Sequence, residues 1–576
     1  MTSKFSSFAL FSLLLGVVVV PGGMAEADVR LPAIFGSHMV LEQDVKIPVW
    51  GWADAGEAVT VTLGTDTEKT TGDGDGKWRV DLAPAKTTSS PMTLTVTGKN
   101  ILTFEDVLVG DVWVCSGQSN MAFTLSGEYD AAKQIAEANE PQLRLFVVAG
   151  KVAITPEIDV KGRWVVCSPA TVGSFSAVGY FFGRELSHAL NRPIGLISNA
   201  WGGMPAQAFT SLSALQKDPP FSHYVEQYQK DLEQYPKAKE AYPAALAAYL
   251  EAQKKWDATV APTYLPLLKQ WQLDVAQAQA KGTPAPPSPV PSQPRPKGPE
   301  FPEGSPGTPS VLFNGMIAPL MPYGIKGVIW YQGESNTGNG LEYQTLFPRM
   351  ITDWREHWNQ GDFPFLYVQL ASFMGPQKKP AEISGWANLR EAQLKTLSLP
   401  NTGMASAVDV GDGANIHPKD KFDVGLRLAL AAKHVAYGQD LVYSGPIYDS
   451  MKIEGNKIRV VFQKTGSGMQ MGTPPWTSTG VPVPAPTELT GFAIAGADQQ
   501  WVWAKAQVDG QTVVVSSDQV TTPVAVRYAW ANNPIGNLYN KEGLPASPFR
   551  TDDWPDIKPA PPVASPPPSP APAPKQ

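Results

Sequence analysis

Apolar and polar positions change rhythm several times along this chain, and each change predicts a different kind of element. From Asp28 to about Glu105 short runs alternate with period two, as in Lys46-Ile-Pro-Val-Trp50, Ala58-Val-Thr-Val-Thr-Leu63 and Met92-Thr-Leu-Thr-Val-Thr97. β-Branched residues at alternate positions, between Gly/Asp turn signals about ten residues apart, predict a small β-sandwich over residues 28–106. The run Gly72-Asp-Gly-Asp-Gly76 reads as a hairpin turn, because it lacks the further ligands and the distal Glu of a calcium loop.

From Val107 the runs become continuously apolar. Val107–Cys115 is the first, followed by Leu143–Val148, Ile194–Ser198, Val328–Tyr331, Phe365–Leu370 and Ala405–Val410. Helical periodicity falls between several of them, at Phe175–Leu190, Tyr343–Trp358, Trp386–Leu397 and Asp420–Tyr437. Strands apolar on both faces, alternating with helices, predict an α/β domain whose parallel sheet is covered on both sides. Active sites in such sheets sit at the carboxyl ends of the strands. The domain is expected in two parts, 107–215 and 310–440, split by an insertion over 216–309. Within it, Tyr224–Lys281 predicts one or two exposed helices, and Pro284–Pro309, with 11 prolines, an extended linker. Alternation returns over 441–554, in Lys457–Phe462, Gln511–Ser516 and Val524–Tyr528, and predicts a second β-sandwich.

The two ends read differently. Lys4, the apolar run Phe8–Val20 and Ala25-Glu26-Ala27 form a signal-peptide pattern over residues 1–27. That run is short of the ~20 apolar residues of a membrane span. The mature protein is therefore expected to be secreted or periplasmic, with no membrane span. Pro555–Gln576 carries 10 prolines and predicts a disordered tail. At 576 residues the chain has room for three or four units of the usual ~100–150 residues. Its formal net charge of −7 argues against nucleic acid as a partner, since that affinity rests on cations meeting phosphates. Two cysteines, Cys115 and Cys167, exclude a disulfide-stapled scaffold and a Cys-rich metal site, and leave open whether the two pair.

Unusual residues collect at the strand ends. The first apolar strand runs into Cys115-Ser-Gly-Gln-Ser-Asn-Met121, a sequence suited to a sharp strand-to-helix turn that presents Ser119 beside the next helix's amides. Ser119 and Ser116 both have an alternative role as helix caps. A serine nucleophile needs a base, and of six histidines His188, His357 and His434 fall within predicted helices, and His38 and His223 in the first β region and the insertion. His417, in a loop after a late strand, is the remaining candidate. Oxyanion donors, worth roughly 3 kcal/mol each, are offered by Gly202 and Gly203 after one strand and by Gln332 and Asn336 after another. Trp113 and Cys115 read as core, while Trp201 and Tyr331 are candidates for a pocket wall.

Gly117-Gln-Ser-Asn-Met121, Trp201-Gly-Gly203, Trp330-Tyr-Gln-Gly-Glu-Ser-Asn336 and Ile416-His-Pro418 resemble the motif blocks of the sialate O-acetylesterase family, relatives of the SGNH (GDSL-like) hydrolases. The resemblance covers roughly Val107–Tyr437, extends to the β-sandwich flanks, and implies an SGNH-like three-layer α/β/α domain. It implies a metal-free esterase that removes O-acetyl groups from sugars, with Ser119 as nucleophile and His417 as general base. The amide of Ser119, those of Gly202 or Gly203, and the block containing Gln332, Glu334 and Asn336 would bind oxyanion and substrate. No cofactor is expected, and the partner is an O-acetylated sugar or glycan, either sialic acid or a plant polysaccharide such as xylan. Two departures stand out: Met204 follows the glycine pair where the family often has Thr, and Ala414 stands where SGNH enzymes carry the Asp that orients the histidine. Asp412 is the first choice for that carboxylate, Asp409 the second, and a backbone carbonyl in a Ser–His dyad the third. Arg390 is a candidate clamp for a substrate carboxylate. A non-catalytic carbohydrate-binding protein is the competing class, against which the intact Ser, His, Gly and amide set argues.

Overall fold

The computed structural model describes residues 28–280, 286–299, 301–475, 477 and 483–555. The expected leader over 1–27 and the expected disordered tail, beyond Pro555, lie outside them. A seven-stranded run of one larger mixed sheet organises the molecule: β1 (Ile101–Gly117), β2 (Glu140–Val147), β3 (Trp164–Cys167), β4 (Ile194–Ala200), β5 (Gly327–Tyr331), β6 (Phe365–Gln369) and β7 (Thr402–Ser406). Their order is β7-β6-β5-β1-β4-β2-β3. All neighbours are parallel except β3, which pairs antiparallel with β2.

The helices α1 (Ala177–Leu190), α2 (Gly340–Trp358), α3 (Gly385–Lys395) and α4 (Phe422–Val435) pack on this sheet. Successive strand residues face opposite ways, and β6 shows the consequence. Phe365 packs edge-to-face against Phe347 and Trp354 of α2, and Tyr367 donates to the carbonyl of Gln393 in α3. Leu366, between them, lies with Val435 and Ala431 of α4 around Gly403. Helices thus cover both faces. Ser176 and Ser384 cap α1 and α3, accepting from the amides of Gly179 and Ala387.

β1 explains the change of rhythm at Val107. Its first six residues alternate between exposed and half-buried, and from Val107 to Gly117 every residue is buried. As far as Gly110 it pairs with the amino-terminal strands Thr88–Thr97 and Val40–Glu42, and from Asp111 it is the middle of the parallel sheet. One strand crosses the expected boundary at 106, so the amino-terminal strands and the α/β region share one hydrophobic core. The Gly72–Gly76 run is a turn, in which Asp73 Oδ1 accepts from the amides of Asp75 and Lys77. At the other end, the four-stranded antiparallel sheets Ile447–Glu454/Lys457–Gln463/Thr512–Ser516/Lys505–Asp509 and Trp501–Trp503/Phe492–Gly496/Pro523–Tyr528/Phe549–Arg550 contribute to a separate apolar cluster.

The insertion holds two helices, Ser222–Thr259 and Ala261–Ala280. The described part of the proline-rich segment does not run free. Trp256 and Trp271 donate their indole N–H to the carbonyls of Gln293 and Pro286, which lays the segment back along the helices. Tyr228 bonds the carbonyl of Ile154 and fastens the base of the first helix to the body. The last predicted strand is shorter than expected. It ends at Ser406, and Ala407–Val410 closes a turn because Asp409 is drawn into a two-pronged ion pair with Arg427 (2.6 and 2.9 Å). Among the described residues no helix is long and apolar enough to cross a membrane.

Candidate active site

The strand register assembles the site. Gly117 at the end of β1 pairs with Ala200 of β4 on one side and Tyr331 of β5 on the other, so the three motif-bearing strands end at one edge. The chain can turn there because residue 117 is glycine. Its φ is +133°, and a Cβ would lie 2.3 Å from the carbonyl oxygen of Tyr331, closer than any side chain tolerates. Hydrogen bonds then lash the strand ends together. The Gln118 amide donates to the Tyr331 carbonyl and the Trp201 amide to that of Gly117, while Gln118 Oε1 accepts from the amides of Gly333 and Ser335.

Ser119 opens the short helix Ser119–Ala122, half-buried. Ser116 is fully buried and spends its hydroxyl on the carbonyl of Asn199 (2.6 Å). Ser119 makes no such side-chain bond among the described residues. Gly202 lies against it: a Cβ there would sit 3.4 Å from Ser119 Cβ. Gly203 has φ +75° and open space where a side chain would be.

His417 is half-buried, in the loop between β7 and α4. Asn120, the residue after Ser119, fixes that loop: its amide nitrogen donates to the carbonyl of Ile416 at 3.0 Å and to Glu334 Oε1 at 2.6 Å. Burial, and secondly the nearby Lys421 ammonium, hold the His417 imidazole below its ordinary value, which favours the neutral form a general base requires. The other histidines serve elsewhere. His38 pairs with Asp106, His188 with Glu140 and His357 with Asp353, His223 packs on Tyr224, and His434 stacks on Tyr443.

Several expected site residues have other work. Among the described residues no carboxylate is hydrogen-bonded to or ion-paired with the His417 ring. Asp412 Oδ1 instead accepts from the Ala414 amide two residues on, closing its own turn, and Asp409 is held by Arg427 and Tyr539. Gln332 is fully buried, with its amide nitrogen bonded to the carbonyl of Met204 and to Asn336 Oδ1 and its oxygen accepting from Tyr343. Asn336 also accepts from the Ala206 amide and donates to Gln207. This pair therefore shapes the 201–207 loop from behind. Glu334 is half-buried, with its pKa raised by desolvation. Tyr331 is fully buried as well, so it forms no pocket wall, whereas Trp201 is half-exposed beside Gly150. Arg390 gives its hydrogen bonds to main-chain carbonyls, those of Leu370, Ala371, Ala531 and Asn532. Cys115 and Cys167 are both buried and unpaired. The sequence reading gave no role to Gln118, Asn120 or Lys421. The first two stood inside a recognised block, and Lys421 inside a predicted helix with nothing to mark it.

A family model described as "Carbohydrate esterase, sialic acid-specific acetylesterase" matches residues 311–435. The sialate O-acetylesterase of Rattus norvegicus is 29% identical over 569 residues, which cover 90% of this chain and 94% of that protein. The human sialate O-acetylesterase is 27% identical, covering 94% of this chain and 96% of its own. The crystal structure of a carbohydrate acetylesterase from Xanthomonas citri is similar with a TM-score of 0.71 at 35% identity, covering 91% of this chain and 100% of that one. Fold and likeness together define a carboxylic ester hydrolase of the carbohydrate-esterase class. The chain belongs to the sialate O-acetylesterase family.

Proposed function

We propose that this protein is an exported serine esterase that removes O-acetyl groups from carbohydrates, with Ser119 as nucleophile and His417 as general base. The observation that carries this reading is the bond from Asn120 to the carbonyl of Ile416, which ties the turn bearing an uncommitted serine to the loop bearing the histidine. Ser119 Oγ attacks the acetyl carbonyl carbon while His417 takes its proton, giving a tetrahedral oxyanion. Collapse expels the sugar hydroxyl, which recovers that proton, and leaves an acetyl ester on Ser119. Water, deprotonated by His417, then releases acetate and restores the serine. The amides of Ser119 and of Gly202, which lies against Ser119, serve the oxyanion. Export follows from the signal pattern at residues 1–27, the basis for a secreted or periplasmic enzyme.

With Arg390 spent on carbonyls, the guanidinium singled out for a sialate carboxylate does not serve it, which supports neutral acetylated polysaccharide such as xylan over acetylated sialic acid. Acetate release from acetylated xylan and from O-acetylated sialic acid tests this directly. Faster release from xylan is expected, and no release from any acetylated sugar above the Ser119→Ala background would refute the reading.

The bond from the Ala414 amide to Asp412 Oδ1 makes a second expectation. A carboxylate that orients the catalytic histidine contributes up to about 10⁴ in kcat. Asp412 closes a turn instead, and the reading is a Ser–His dyad without a carboxylate on the ring. Asp412→Asn should keep kcat on p-nitrophenyl acetate within about tenfold of the parent at neutral pH. A loss of about a hundredfold or more would make Asp412 the ring's partner after all.

A further inference from the structure

Behind the serine turn lies a buried polar cluster that the chemistry above does not use. Lys421 is fully buried and stands at the amino end of α4, where the helix dipole disfavours a cation. An apolar side chain would fill the same space without the cost of desolvating an ammonium. Its Nζ donates to Asn120 Oδ1 at 2.6 Å and lies 4.9 Å from the Phe123 ring centroid and 5.3 Å from that of Tyr331. Asn120 turns its nitrogen to Glu334 and to the carbonyl of Ile416. The pattern permits one orientation of that amide. An ammonium only donates, and a carbonyl and a carboxylate only accept, so oxygen must face Lys421 and nitrogen the other two.

We propose that Lys421 is a positioning residue for ester hydrolysis, its ammonium locking the Asn120 amide that joins the Ser119 turn to the His417 loop. The inference rests on Ser119 and His417 doing the chemistry. Without the ammonium, the Asn120 oxygen loses its donor and the amide is held only through its nitrogen, by Glu334 and the Ile416 carbonyl, so the tie between the Ser119 turn and the His417 loop loosens and the histidine loses its register with the serine.

Charge adds a second effect. The titratable groups around Lys421 are Glu334 and Tyr331 from the end of β5, and His417 and Asp420 from its own segment, with Asp423 and Arg427 beyond Asp420. Burial pulls the Lys421 ammonium down to about 7, against Glu334 and Asp420, which pull it up. At the lower pH where His417 titrates, Lys421 is therefore largely protonated. It then opposes formation of the imidazolium and keeps the base neutral in more acid solution.

Lys421→Met and Lys421→Gln, assayed on p-nitrophenyl acetate from about pH 5 to about pH 9 beside Ser119→Ala, test the proposal. The Met variant should melt cooperatively, lose about a hundredfold in kcat and keep KM within about threefold. The acid limb of its kcat/KM profile should move to higher pH, because the imidazolium is no longer opposed. The Gln variant keeps a donor for Asn120 without the charge. It should recover about tenfold in kcat over Met while retaining the displaced limb. A merely structural lysine would lower the melting temperature and leave the limb in place. If the Met variant does not fold, the limb of the Gln variant decides. Folded variants with kcat within about threefold of the parent and an unmoved limb would overturn the proposal. Full activity in Ser119→Ala would instead remove the reading it rests on, so the two failures are distinct.

Discussion

Replacing Ser119 with alanine lowers kcat on acetyl esters by about a thousandfold or more and leaves the melting temperature where it was. Both halves follow from the local structure. The hydroxyl makes no hydrogen bond among the described residues, so its removal orphans no buried group. The turn that presents it is held by Gly117, by the Gln118 amide on Tyr331 and by Gln118 Oε1 on the amides of Gly333 and Ser335. The catalytic half follows from the acyl-enzyme route. With no oxygen to accept the acetyl group, what remains is the smaller catalysis of binding and oxyanion donors, and loss of a nucleophilic serine costs up to about 10⁶ in well-studied hydrolases. Steady-state hydrolysis of p-nitrophenyl acetate, with a thermal melt of the same preparation, decides it. Activity within about tenfold of the parent would discard Ser119 as the nucleophile, and a large fall in melting temperature would mean that the hydroxyl supports the fold.

The second large effect is on stability. Arg390 is fully buried in α3 and bonds four carbonyls, two at the end of β6 and two in the segment Ala531–Asn532. It therefore joins the parallel sheet to the carboxyl-terminal region. Burial lowers its pKa to about 9, which still leaves it charged at neutral pH. Arg390→Met fills much of the volume but strands four acceptors, each costing about 1–3 kcal/mol when left buried and unpaired. Allowing for relaxation, a loss of about 3–5 kcal/mol is expected. At about 2–4 °C per kcal/mol for a domain of this kind, the apparent Tm should fall by roughly 6 °C or more. At a temperature where the variant is still folded, KM should change little. The opposite pattern, an unchanged Tm with a raised KM, would restore Arg390 as a substrate clamp.

Much of this molecule was legible in its sequence because the two periodicities are local properties. The strands and helices of the parallel sheet follow from runs buried on both faces and from the helical stripes between them. The edge that carries the chemistry follows from the rule that such sheets bind at the carboxyl ends of their strands. Ser119, His417 and the Gly202 block were singled out that way, and the structure lays Gly202 against Ser119 and ties Asn120 to the loop that carries His417. The change of rhythm at Val107 was also real. It marks the point at which one continuous strand passes from a sheet exposed on one face to a sheet covered on both, a change in burial that a sequence does not distinguish from a break between domains.

What the sequence did not contain is which polar group meets which. Asp412, Asp409, Gln332 and Arg390 have the right chemistry for a carboxylate partner, an oxyanion donor and an anion clamp. Each is bound instead to a group far away in the sequence or to its own turn, as Arg427, Met204, Ala531 and Ala414 show. A buried donor or acceptor must be paired, and the pairing is decided by three-dimensional proximity rather than by residue type. Lys421 gives the same result from the opposite direction. In the sequence it is one more charged residue at the start of a helix, and only the closing of the sheet edge over it brings Asn120, Glu334 and two aromatic faces within reach. The sequence by itself determined the elements, their order and the edge where chemistry belongs, because burial patterns are written along the chain. The tertiary structure decided which side chains at that edge remain free to react, because hydrogen-bond satisfaction is settled between strands and loops that the chain brings together only on folding.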